Sequence, residues 1–355
     1  MPLDETGLEL FRRLLETPSP SGYERPIQDV VRAYLRDCQA DISTDLHGNV
    51  IGIANAGAPL RLMLAGHCDQ IGLMVQYIDS DGFLYVQAIG GWDPVQLIGQ
   101  RMTIWSQDGP VPGIISRKPA HLLTDEERKQ QVKLKDLWID IGAKNREEAA
   151  SLVRVGDCIT LELGYRELRN DRVYGTAMDD KTGLWVVLEA FRRAVSRGGL
   201  KCALYAVSTV QEEIGLRGAR TSAYGIDPQV GIAVDVTHAT DCPTIDKKQE
   251  GEINLGGGPV IYRGPNMNPR VVERLVSLAT EKQLPYQMGG LSRPSPTDAN
   301  SMQLNRAGMA VGLVSLPNRY MHSAVELVSL TDLDAAANLL AEFALSLAAD
   351  TDFTP

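Results

Sequence analysis

Residues 202–215 read CALYAVSTVQEEIG, an apolar and small-residue run closed by two adjacent glutamates and a glycine. Such a run is a strand buried on both faces, the kind found in the middle of a parallel sheet. Glu212 and Glu213 follow it directly. Adjacent carboxylates there repel each other, and the usual remedies are solvent, protons or a metal ion. Neighbouring side chains diverge, so one can hold a metal while the other faces a substrate. Working outward, residues 230–236 and 311–316 repeat the buried-strand pattern. Residues 180–195, 270–282 and 330–347 carry apolar side chains at helical spacing. This alternation predicts the α/β class: a mixed, mostly parallel sheet with helices on both faces.

Toward the N-terminus, residues 3–16 and 26–36 read as amphipathic helices, and residues 49–53 and 60–65 as short strands. The segment TPSPSGY at 17–23 is turn chemistry, with serines placed to cap the second helix. Between about 71 and 163 the texture changes to short β-like runs, at 73–78, 83–88, 102–105, 111–115 and 158–163. A charged stretch at 124–135 interrupts them and is expected at the surface. The economical arrangement is one α/β domain made from both ends of the chain, with a small β domain inserted near residues 70–165.

At 355 residues the chain exceeds what one core usually carries, which agrees with two domains. Forty-five acidic against 35 basic residues give a net charge of −10, which argues against a nucleic-acid partner. The opening residues form an acidic helix, not a secretory signal, and no run of about 18 apolar residues suggests a membrane span. Five scattered cysteines, never spaced C-x-x-C, predict reduced thiols in a cytoplasm and no cysteine zinc site.

Four further candidates join the glutamate pair. His67 and Asp69 lie two apart after the apolar run LRLMLA, so they share one face while Cys68 points away. An aspartate so placed orients a metal-binding imidazole, although a lone strand-end histidine is more often structural. Asp179 and Asp180 open a helix, where N-capping is the plain alternative to ligation. Asp235 ends another apolar run, and His322 follows VGLVSLPNRYM. Two histidines and several carboxylates, with no thiolate required, suit zinc, cobalt or manganese. A pair of such ions needs a bridging carboxylate, and a free carboxylate shuttles the proton. His47, His121 and His238 gain no support as ligands.

In this order the motifs resemble the tetrahedral (TET) dinuclear metallo-aminopeptidases. That family comprises glutamyl-, leucyl- and lysyl-type enzymes, and some members are labelled deblocking aminopeptidases or endoglucanases. The resemblance covers SPSGYE at 19–24, GHCDQIG at 66–72, GGWDP at 90–94, GQR at 99–101 and KPAHLL at 118–123. It continues through AMDDKTG at 177–183, VQEEIGLRGA at 210–219, DVTHATD at 235–241, PTDA at 296–299 and RYMHS at 319–323.

The resemblance implies two divalent ions per subunit, zinc first and cobalt or manganese as alternatives. His67 and Asp235 hold one, Glu213 and His322 the other, and Asp179 bridges them, with Asp180 as the fallback bridge. Glu212 is then the general base and acid, and Asp69 steadies His67. It also implies a discontinuous catalytic domain, 1–69 and 166–355, and a barrel-like dimerisation domain at 70–165. Dimers assemble into a hollow dodecamer that cleaves N-terminal residues from short peptides. A metal-free glycoside hydrolase and a non-catalytic assembly protein are the alternatives. Three departures stand out: Gln70 where the family usually has Glu, the segment GLSRPSPTDA around 290–297, and Ser323-Ala324 for the usual Ser-Pro. Arg217, Arg263 and Arg293 are available for a cationic substrate pocket, but a linear string does not place them.

Overall fold

The computed structural model describes residues 3–355. The chain opens with two amphipathic helices, α1 (Glu5–Glu16), capped by the Asp4 carboxylate, and α2 (Arg25–Asp37). Strands β1 (Asp41–Thr44), β2 (Val50–Ala54) and β3 (Arg61–His67) follow. Next come β4 (Gly72–Ile78), β5 (Leu84–Ile89), the short α3 (Pro94–Leu97), β6 (Arg101–Ser106) and β7 (Gly109–Ser116). After them run α4 (Asp125–Lys129), β8 (Trp138–Asp140), α5 (Arg146–Leu152) and β9 (Cys158–Leu161). Strands β10 (Tyr165–Glu167) and β11 (Arg172–Gly175) lead into the long helix α6 (Met178–Arg197). The rest alternates: β12 (Ala203–Thr209), α7 (Arg217–Ile226), β13 (Val230–His238), α8 (Lys247–Glu250), β14 (Val260–Arg263) and α9 (Pro269–Glu281). The last elements are β15 (Gln287–Gly290), α10 (Asp298–Gln303), β16 (Ala310–Asn318), β17 (Glu326–Ser329) and α11 (Leu330–Ser346).

Eight strands form the main sheet in the order β1-β2-β12-β3-β13-β16-β14-β15. Its middle four, β12, β3, β13 and β16, are mutually parallel; β1, β2 and β14 add antiparallel pairings at the flanks. The sheet is mixed and mostly parallel at its centre, as the alternation predicts. Register shows which helix covers which face. Gly312 of β16 lies under Val271 of α9, and Gly231 of β13 lies under Met302 of α10. Val311 is the partner of Gly231, so these two glycines point to opposite faces and the sheet is covered on both.

The strands β4 to β9 close into a separate six-stranded barrel, ordered β4-β5-β8-β7-β6-β9. It has its own apolar core, including Leu73, Val75, Ile104, Ile139 and Ile159. A closed barrel leaves no unpaired strand edge, so a unit this small can be inserted without a sticky border. The charged stretch at 124–135 contains α4, whose residues are not buried.

The large core lies between the main sheet and its helices, with Phe11, Trp185, Phe191 and Phe343 fully buried. Trp185 anchors α1 to α6: its indole N–H donates to the Gly7 carbonyl at 2.7 Å. Trp185→Ala removes that bond and opens a large void, and is expected to cost about 3–5 kcal/mol. A urea midpoint measured at unchanged slope checks this.

One sequence expectation is corrected here. No side chain caps α2; Glu24 occupies its N-cap position. Ser19 and Ser21 are instead buried beside the end of β3, where Pro20 bridges to Gln70 and the Ser21 hydroxyl donates to Asp69 at 2.6 Å. The Ser21 hydroxyl donates a charge-assisted bond to a buried carboxylate instead of accepting from a helix N–H.

Candidate metal centre

The candidate side chains converge at the carboxyl ends of the parallel strands, where open α/β sheets gather ligands. His67 is the last residue of β3, and its register partner Thr209 is the last of β12. Glu212 and Glu213 follow that strand by a few residues. Asp235 lies near the end of β13, opposite Ser315 of β16. His322 sits in the loop between β16 and β17, and Asp179 opens α6. Gly66 makes the closest of these approaches possible. A Cβ there would stand 2.8 Å from the Leu184 nitrogen and 2.9 Å from the Gly183 carbonyl. Only a glycine lets the start of α6 lie flat on β3, which brings Asp179 to His67.

Asp179 spans the two imidazoles. Its Oδ1 is 3.2 Å from His67 Nε2 and its Oδ2 is 3.2 Å from His322 Nε2. Around His67 Nε2 stand Glu212 Oε2 at 3.8 Å and Asp235 Oδ1 at 3.9 Å. His322 Nε2 has Glu213 Oε2 at 3.6 Å. Donor atoms therefore fall into two groups: His67, Asp180 and Asp235, and Asp179, Glu213 and His322, each within 4.8 Å internally. The pair Asp179–Asp180, joined by a cis peptide bond, divides its tasks. Asp180 turns back, accepting the Gly183 N–H at 3.0 Å, while Asp179 alone faces both histidines. Asp179 and Asp180 both lie outside helical φ/ψ, so the Asp180 bond to the Gly183 N–H caps the helix body in the ordinary way, and only Asp179 is free of that task.

Asp69 is the hub beneath. Its carboxylate accepts the Glu212 N–H at 3.0 Å, the Glu213 N–H at 3.2 Å and the Ser21 hydroxyl at 2.6 Å. His67 Nδ1 faces the Asp69 carbonyl at 3.0 Å and its carboxylate at 3.5 Å. Gln70 points elsewhere. Its amide oxygen takes the Lys181 ammonium at 2.7 Å, so the departure at this position bears on a buried lysine rather than on the imidazole donors.

Several supporting residues were not anticipated. Asp298, quoted above within PTDA but given no task, accepts the Thr209 hydroxyl at 2.6 Å. Glu326, inside the apolar run VELVSL, bonds the backbone of both Asp179 and His322. A lone acid within an otherwise apolar strand was the available signal.

So many acids in one dry place disturb each other. Burial pushes Glu212 well up, and the charges of Asp235, Asp298 and Glu213 add to it against the pull of His67. Burial likewise raises Glu213, and raises Asp235 to about 8. For Asp179 burial works the same way, but the bonds from His322 and His67 win and hold its carboxyl below the ordinary range. The Asp179 bond lifts His322 to about 9. Glu213 also keeps one buried oxygen with no hydrogen-bond partner. An orphaned oxygen, two imidazoles and a surplus of carboxylates are the donor set that suits divalent cations.

The cluster forms the floor of a cavity of about 780 Å³. Thr237, Tyr262 and Met288 belong to its walls, with His238 and Lys248. Of the three arginines open to a cationic pocket, Arg293 lines it while Arg217 and Arg263 do not. His47 and His121 lie outside it.

Comparison with known proteins agrees with this geometry. The description of the M42 glutamyl aminopeptidase family matches residues 48–339. A lysyl aminopeptidase of Pyrococcus furiosus is 38% identical over 98% of this chain and 99% of its own. The structure of a TET aminopeptidase from a marine-sediment thaumarchaeon is 36% identical, with a TM-score of 0.92 over 97% of each chain. A TET peptidase of Pyrococcus horikoshii, able to assemble into a tetrahedron or a large octahedral shell, is 30% identical. It superposes with a TM-score of 0.85 over 96% of this chain and 100% of its own.

Proposed function

The chain belongs to the M42 glutamyl aminopeptidase family, and from that premise we propose how its own residues remove the N-terminal residue of short peptides. The peptide hydrolase activity comes with the family; the assignment of tasks is ours. One observation carries it: a single carboxylate, Asp179, divides its two oxygens between two imidazoles, with Glu212 alongside.

In this reading His67 and Asp235 hold one divalent ion, Glu213 and His322 a second, and Asp179 both. Zinc is our first choice, with cobalt and manganese next. Bound there, such ions polarise a scissile carbonyl and acidify a water. Glu212 takes the proton from the attacking water onto a carboxylate oxygen and passes it to the leaving amine. Asp69 fixes the backbone of Glu212 and steadies His67. In this reading the free α-amine of the substrate would approach the metal pair, which is why an N-terminus rather than an internal bond is selected.

We further propose that residues 1–69 and 166–355 form the catalytic unit, and that the barrel unit, 70–165, pairs two subunits. Those pairs build a hollow dodecamer that admits peptides and excludes folded proteins. Among the described residues no helix is long and apolar enough to cross a membrane. The five cysteines are all free, which supports a reducing compartment such as the cytoplasm.

The test is a panel of aminoacyl-p-nitroanilides (Leu, Glu, Asp, Lys, Ala) with an N-acetylated control. Cleavage of the free-amine substrates alone, dependent on added divalent metal, is the expected outcome. Equal cleavage of the acetylated control sinks the proposed role of the α-amine.

A further inference from the structure

β17 pairs antiparallel with β11, and the register sets Glu326 opposite Gly175, the residue from which the chain turns toward Asp179. The Glu326 side chain is 1% exposed. Its Oε2 accepts the Asp179 N–H at 2.9 Å, and its Oε1 accepts the His322 N–H at 2.9 Å. One carboxylate thus grips the backbones of two residues that lie on different loops and come from distant parts of the chain. Both loops are conformationally costly. Ala177 holds φ at +61°, Tyr320 at +64° and His322 at +59°, left-handed values that non-glycine side chains rarely adopt. Without a shared anchor each loop has cheaper conformations open to it, and the two would drift independently.

We infer that Glu326 is a positioning residue for the candidate metal centre, locking the spacing between the Asp179 carboxylate and the His322 imidazole. Its hydrogen bonds go to the two backbone amides and to no imidazole. The inference rests on the reading of Asp179 and His322 as metal donors. It predicts an uneven effect: the cation held by Glu213 and His322 depends on both clamped loops, the one held by His67 and Asp235 on one.

The test is Glu326→Gln, which preserves shape but offers one good acceptor and turns an NH₂ group toward the other amide. Full-length protein loaded with zinc is titrated with a chelator, and bound metal is counted by mass spectrometry alongside circular dichroism. The expected result is one cation weakened about 10–100-fold, the range for residues that orient ligands, with the other near its original affinity and the fold intact. Two cations held as in the unsubstituted protein overturn the inference. So does equal weakening of both, because the residue would then support only the fold. If the amide variant does not accumulate, Glu326→Asp carries the same test, since its shorter arm cannot reach both amides. Failure of the unsubstituted protein to bind two cations would instead remove the reading beneath, leaving the clamp a separate matter.

Discussion

Glu212→Gln is expected to lower turnover about 100-fold or more while leaving metal content and KM nearly unchanged, the usual span of general acid–base catalysis. That loss corresponds to about 2.7 kcal/mol of barrier. The amide keeps the size of the side chain and leaves the backbone bond to Asp69 in place, so the site is not rearranged. It removes only the capacity to hold a proton. Steady-state kinetics and a metal count on the same sample check the prediction. Undiminished turnover would remove Glu212 from the mechanism.

Stripping the metal is the second large perturbation. Exhaustive chelation is expected to abolish turnover, and restored zinc, cobalt or manganese to recover it, the ranking identifying the preferred ion. Stability follows by linkage: a ligand at about 1,000 times its dissociation constant contributes about 4 kcal/mol, so the stripped protein melts several degrees lower. The pH dependence has a definite sign. Without metal, Asp235 at about 8 and His322 at about 9 both carry protons at pH 7. Both must lose them to act as donors, so loading the site releases protons and its affinity weakens as pH falls through that range. Calorimetric titrations in buffers of different ionisation enthalpy read the released protons directly. Proton uptake on loading would contradict the donor assignment.

The candidate donors were legible because each ends, or closely follows, an apolar run, and the fold brings those ends together. His67, Glu212, Asp235 and His322 could all be picked out on that ground. Which of Asp179 and Asp180 faces the imidazoles was not legible. A backbone turn decides it, and adjacent identical residues leave no trace of such a turn in sequence. The use of Ser21 is hidden from the sequence for a related reason. Its partner Asp69 is 48 residues away, whereas a helix terminus a few residues on offered a plausible local use. Glu326, whose bond to Asp179 spans 147 residues, looked like one polar position in a strand. Donors announce themselves by type and place; the groups that hold donors are ordinary residues identified only by contact. The short strands β10, β11 and β17 are not legible in the sequence, because three or four residues show no periodicity.

The order of the donors along the chain has a consequence for synthesis. His67 emerges early, the whole barrel follows before Asp179, and His322 and Glu326 come only with the closing strands. A polypeptide leaving the ribosome folds from its N-terminus as it grows. Until β16 and β17 have joined the sheet, the growing chain holds one of the two proposed donor imidazoles, His67, and an uncompensated cluster of acids. On the proposed donor assignment, a peptidase built this way stays chemically mute until its closing strands are made.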